Sequence, residues 1–174
     1  LKFCRKHSIT PQRNRRKYIH YGQEIFANDV DLIAGDIKSI QKDKTLSITE
    51  KKRLSSARIG QGEFRRRVQN IWGSCLVTGC GVQVLLRASH IKPWKNSSNV
   101  ERLDGFNGLL LAPQVDAAFD RGLITFDKNG SILLSPSFPV KEAKLLGLTV
   151  KGRASFTQAH QKYLEYHRQH VFRG

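Results

Sequence analysis

The chain has 174 residues, 39% of them hydrophobic, enough for one compact domain plus an appendage and tight for two. Lys and Arg number 30 against 14 Asp and Glu, a formal charge of +16 that exceeds what solubility requires, so the expected partner is a polyanion, nucleic acid first. No apolar run approaches the ~18 residues needed to span a bilayer, which argues against a membrane-embedded protein.

Residues 1–20 carry Lys2, Arg5, Lys6, Arg13, Arg15, Arg16 and Lys17 with no acid, the opposite of a signal peptide's apolar stretch. Pro11 interrupts them, so they are expected to form a basic arm: either a solvated tail or a segment contacting phosphates. Cys4, Cys75 and Cys80 are an odd set with no framework pattern, which suits a reducing compartment and a cytoplasmic location. Leu1 is not a normal start residue, so the chain is expected to be part of a longer protein.

From Tyr21 to Lys52, Ile25, Phe26, Val30, Leu32, Ile33, Ile37 and Ile40 recur at roughly helical spacing, a helical lead-in. In "SITEKKRL", Ser47 and Glu50 have the spacing of a capping box. We therefore divide the chain into an arm and lead-in, 1–52, and a main domain, 53–174. "GEFRRRVQNIW" places Phe64, Val68 and Ile71 or Trp72 on one helix face and turns Arg65, Arg66 and Arg67 largely away, a basic amphipathic helix ended by Gly73. Its arginines either form a solvated face or grip phosphates.

"SCLVTGC" and "VQVLLRASHI" are short β-branched segments separated by Thr78, Gly79 and Gly81, and they predict a β-hairpin whose second strand delivers His90. Pro93 ends that strand and opens the polar loop "KNSSNVERLDGFN". A helix is expected after Pro113, with Val115, Ala118 and Phe119 on its apolar side and a stop near Gly122. "LITFDKNGSILLS" predicts two strands joined at Asn129 and Gly130, and a last helix is expected from about Ser155 to His170.

Four residues in this order have a chemistry in common. Histidine, with an ordinary pKa of about 6.5, can take a proton from water near neutrality. Asp116 and Asp120, four apart on one helix, project from one face and can share one hard cation. Singly, each has a plain structural reading: a satisfied strand-end histidine, surface acids, an ion pair of Asp120 with Arg121, and turn chemistry for Asn107 before Gly108.

Together, "CLVTG…LLRASHIKPW…ERLDGFNGLLLAPQVDAAFDRGLITFDKNGSILLS" resembles the HNH endonucleases, which share a ββα-metal finger. The resemblance runs from about Arg58 to Phe172, taking in "RIGQGEFRRRV" and "YLEYHRQHVF". It implies an α+β fold: a ββα-metal finger embedded in flanking helices, with an additional C-terminal hairpin and helix. By position it implies that His90 is the general base and that Asn107 fixes the loop and orients His90 by hydrogen bonding. Asp116 and Asp120 stand where the family binds metal from the finger's helix, and Ser89 stands where it usually has Asp or His. Fewer strong ligands leave more of the shell to water and phosphate, which suits Mg²⁺ or Mn²⁺.

Many relatives brace the finger with two cysteine pairs around zinc. Only Cys75 and Cys80 lie nearby, so no structural zinc is expected, and Cys75 reads as a small buried hydrophobe. Arg65, Arg66, Arg87, Lys92, Lys95, Arg102 and Arg121 are the candidate nucleic-acid contacts. His167 belongs to the resemblance, but its helical setting between Leu164 and Val171 favours a structural role. Trp94 reads as packing against the finger or as a stacking surface for a displaced base.

The resemblance thus implies a metal-dependent endonuclease acting on duplex DNA, in restriction or other defence, with a homodimer needed to cut both strands. The alternatives are a catalytically weakened nucleic-acid-binding module of the same fold, an RNA-directed nuclease, and a general basic RNA-binding protein. The last gives no reason for His90, Asn107, Asp116 and Asp120 to occur in that order.

Overall fold

The computed structural model describes residues 33–148 and 154–174; the basic arm and the start of the helical lead-in lie outside the described residues. Residues 33–42 are helical. A break follows, and helix α1, Ile48–Trp72, begins on the expected capping box: the Ser47 hydroxyl accepts from the Glu50 N–H, and the Glu50 carboxylate accepts from the Ser47 N–H at 2.9 Å. Gly73 ends α1 with φ at 65°, the left-handed cap that favours glycine. The predicted basic helix is therefore the C-terminal half of a longer one, continuous across positions 52 and 53. Ile48 and Ile59 in the first half are exposed, whereas Phe64, Val68 and Gln69 in the second are buried.

The predicted hairpin between "SCLVTGC" and "VQVLLRASHI" is not formed. Residues 74–80 close on themselves as a turn, with the Cys75 N–H on the Cys80 carbonyl at 2.8 Å, and Gln83–Leu85 is a 3-10 turn. Strand β1, Arg87–His90, pairs instead with β2, Gly108–Leu111, antiparallel, Arg87 opposite Leu111 and His90 opposite Gly108. Periodicity marks a strand but not its partner, and the glycines between the two segments serve a local turn. The "LVTG" segment still touches β2, through the Leu76 N–H to the Leu110 carbonyl at 3.0 Å.

The loop joining β1 to β2 holds the 3-10 turn Trp94–Asn96, the short helix α2, Asn99–Leu103, and the 3-10 turn Gly105–Asn107. Helix α3, Pro113–Asp120, follows β2, so β1, β2 and α3 make the ββα unit. Every residue of β2 is buried, since α1 packs on the sheet while α3 approaches β1. Gly108 makes the α1 contact possible, because a Cβ there would collide with Val68 and Phe64.

Strands β3, Ile124–Phe126, and β4, Ile132–Leu134, form the expected second hairpin. The Asp127 carboxylate accepts from the N–H groups of Asn129 and Ser131, both at 2.8 Å, and Gly130 takes φ of 82°. Helix α4, Val140–Leu145, leads on to α5, Gln158–His170, which starts three residues later than expected from Ser155. In α5, His160, Tyr163, Leu164 and His167 form one buried stripe against β3 and the loop before β2. The fold is α+β, as expected.

Candidate active site

Strand β1 distributes its side chains to two sides, and that alternation builds the site. His90 turns towards α1 and lies flat on Phe64, ring centroids 3.6 Å apart and planes 7° from parallel; the edge of Trp94 closes a third side at 5.5 Å. Arg87 and Ser89 turn towards α3. Residues two apart on a strand span ~6.6 Å and residues four apart on a helix ~6 Å, so the two rows match in step. Arg87 reaches Asp116 at 3.4 Å, and the Ser89 hydroxyl donates to Asp120 at 3.2 Å.

The His90 Nε2 lies 3.1 Å from the Arg102 carbonyl. A carbonyl can only accept, so Nε2 carries the proton, and in the neutral ring Nδ1 keeps a lone pair. No hydrogen bond among the described residues occupies Nδ1. Burial pushes His90 below its ordinary pKa, against the pull of the Arg102 carbonyl, so the ring is neutral at pH 7.

Asn107 is fully buried, and its carboxamide ties the loop together. Its oxygen accepts from the Lys92 N–H at 2.8 Å; its nitrogen faces the Glu101 carbonyl at 3.1 Å, the Ser97 hydroxyl at 3.3 Å and the Lys92 carbonyl at 3.4 Å. The direct bond from Asn107 to His90 implied by the resemblance is not among these contacts. Asn107 instead holds the loop that carries the Arg102 carbonyl.

Asp116 is buried, and Arg87 is its ion-pair partner. Burial and the Asp116 charge push the Asp120 carboxyl above its ordinary value, against the hydrogen bond from Ser89. An Asp120 carboxyl whose ionisation is made costlier by burial and by the neighbouring Asp116 charge, with a hydroxyl beside it, fits a hard divalent cation, which would relieve the repulsion. Among the described residues there is no cluster of three His, Cys, Asp or Glu side chains of the kind that holds a metal. Ser89 and water or phosphate oxygens would complete such a shell.

His90, Ser89, Asp116 and Asp120 line one open groove of about 1390 Å3, walled on the far side by α1. Of the expected cationic contacts, Arg65, Arg66 and Arg87 line it; Lys92, Lys95, Arg102 and Arg121 do not. Several are occupied within the fold. Arg65 donates to the carbonyls of Leu86 at 2.8 Å and Gln83 at 2.9 Å, and Arg66 pairs with Glu63 at 2.9 Å. Lys92 holds both Glu101 oxygens at 2.9 Å. Arg102 donates to the Trp94 carbonyl at 3.1 Å and covers the Trp94 ring at 4.8 Å. Arg121 bonds the Ala117 carbonyl at 3.1 Å rather than Asp120, and Lys95 is exposed. Phe64 and the Arg102 carbonyl were missed as site components; the first reads in sequence as ordinary core, and the second is backbone.

His167 also lines the groove, but both its nitrogens are engaged: Nε2 donates to the Phe119 carbonyl at 3.1 Å, and Nδ1 accepts from the Thr125 hydroxyl at 3.0 Å. Burial lowers its pKa to about 4. It is a neutral brace. Cys75 is buried, its Sγ accepting from the Ala112 N–H at 3.2 Å and the Thr78 N–H at 3.4 Å.

No helix among the described residues is long and apolar enough to cross a membrane. No curated protein matches the chain. The family model described as HNH endonuclease matches residues 75–127, the stretch that contains β1, the loop, β2, α3 and β3, and this match identifies the segment carrying His90, Asn107, Asp116 and Asp120 as HNH-endonuclease-like, a nuclease type of finger.

Proposed function

We propose that the chain is a divalent-metal-dependent endonuclease that hydrolyses DNA phosphodiester bonds in the cytoplasm, in restriction or other defence against foreign DNA. One observation carries this reading: His90 has its Nε2 proton committed to the Arg102 carbonyl and its Nδ1 open, in the same groove as Asp116 and Asp120. In this mechanism Nδ1 takes a proton from the attacking water, and Phe64 and Trp94 hold the ring at a fixed angle while it does so. Asn107 keeps the loop carbonyl in place. Ser89, Asp116 and Asp120 would hold Mg²⁺ or Mn²⁺, which when bound supplies Lewis-acid stabilisation of the charge developing at the phosphate. Arg87 offers its exposed guanidinium to phosphate oxygens. One such groove cuts one strand, so a duplex break takes two copies, as in a homodimer.

The test is plasmid nicking with Mg²⁺ or Mn²⁺ against an EDTA control, using wild type and His90→Ala. Wild type should nick and His90→Ala should be at least a hundredfold slower. A second reading, a nucleic-acid-binding module with weakened catalysis, draws on Ser89 in a ligand position and on the Arg87 contact to Asp116. Wild type that shifts DNA in a gel but leaves plasmid intact across both metals would favour it.

A further inference from the structure

Strand β1 presents two side chains to the two carboxylates of α3. The Ser89 hydroxyl donates to Asp120 at 3.2 Å, and the Arg87 guanidinium reaches Asp116 at 3.4 Å. The two contacts differ in what they permit next. A hydroxyl carries lone pairs as well as a proton, so Ser89 can turn and become a ligand when a cation arrives. A guanidinium has donors only and keeps its charge, so Arg87 can only oppose a cation at Asp116.

The pair is also placed to exchange. The Asp116 side chain is 8% exposed, whereas that of Arg87 is 65% exposed. Their contact joins one guanidinium nitrogen to one carboxylate oxygen at 3.4 Å, long for a charge-assisted bond, so water competes well for the guanidinium. Both residues line the His90 groove, so an Arg87 that leaves Asp116 remains where the phosphates of a bound strand would run.

We propose that Arg87 competes with the divalent cation for Asp116, and that the cation releases it to a phosphate of the strand in the groove, so that cation and strand strengthen each other's binding. This rests on the metal-dependent nuclease reading of the groove. The coupling is reciprocal: the free energy by which the cation frees Arg87 for the strand is the free energy by which the strand frees Asp116 for the cation.

The first measurement is Mn²⁺ binding without DNA, by electron paramagnetic resonance of the free ion, with a thermal melt of each variant. Arg87→Gln changes an exposed side chain and drops its charge, so it should fold as wild type and bind Mn²⁺ about tenfold more tightly. Asp116→Asn should bind Mn²⁺ weakly in either background, which ties the gain to this carboxylate. The second measurement is binding of a fluorescent DNA duplex by anisotropy in EDTA, as a double-mutant cycle. Asp116→Asn, which lets Arg87 go, should bind duplex about fivefold more tightly than wild type, and most of that gain should vanish in an Arg87→Gln background. No gain in Mn²⁺ affinity on Arg87→Gln overturns the proposal and leaves the metal reading standing. A DNA gain that persists in full without Arg87 overturns the exchange, since it then comes from the lost carboxylate charge alone. If neither wild type nor Arg87→Gln binds Mn²⁺, the proposal and the metal reading fail together.

Discussion

His90 and Phe64 stack at 3.6 Å with their rings nearly parallel, so the candidate base stands on a core residue of α1. Phe64→Ala removes that support. It should cost about 3–5 kcal/mol of stability in urea unfolding and lower the nicking rate by more than the loss of folded protein explains. Phe64→Leu, which keeps most of the volume, should fold well and still lose about tenfold in rate.

The pH profile follows from the same contact. His90 must be neutral to accept a proton, and burial lowers its pKa, so nicking should fall off on the acid side at a pH below 6.5. In Phe64→Leu the ring is better solvated, and the acid limb should move up towards 6.5. A limb that stays fixed between the two proteins would separate His90 from the titrating base.

Asn107→Ala should act on the loop and, through the Arg102 carbonyl, on His90. It removes the carboxamide that bonds Lys92, Ser97 and Glu101, and should destabilise the protein by about 2–4 kcal/mol while cutting the rate a hundredfold or more. Its acid limb should move below that of wild type, because a displaced Arg102 carbonyl gives up its upward pull on His90. Urea unfolding and a pH series on the surviving activity read both effects.

Removing the Asp116 charge tests the cation site without turnover. Asp116→Asn relieves the repulsion on Asp120, so Asp120 should titrate lower than in wild type. Mn²⁺ should raise the melting temperature of wild type and leave that of Asp116→Asn unchanged, with EDTA reversing the rise. Equal shifts in both proteins would place metal binding elsewhere.

Acid should loosen the fold through α5. His160 and His167 are buried with lowered pKa values, His167 at about 4, so between roughly pH 6.5 and 4 the unfolded chain binds more protons than the native one. Stability is therefore full above about 6.5 and falls as pH drops, by up to ~1.4 kcal/mol per unit for each histidine while the difference lasts. His167→Gln should flatten this slope in urea midpoints measured from pH 7 to 5.

The local elements were legible in the sequence because their causes are local. The Ser47 and Glu50 cap, the Gly73 stop, the Pro113 start of α3 and the Asp127–Gly130 turn each depend on hydrogen bonds or φ values within a few residues. The same is true of Asp116 and Asp120 sharing a helix face, and the chain order of His90, Asn107 and the two aspartates pointed to the finger. The partner of β1 was not legible, because alternation fits any neighbouring strand and the Leu76 segment was nearer in sequence than Gly108. Only the tertiary structure decided that pairing, along with which arginines bond to carbonyls, which carbonyl fixes the His90 proton, and that Arg87 meets Asp116. These depend on groups far apart in the chain meeting at about 3 Å, a distance set by how α1 packs on β2.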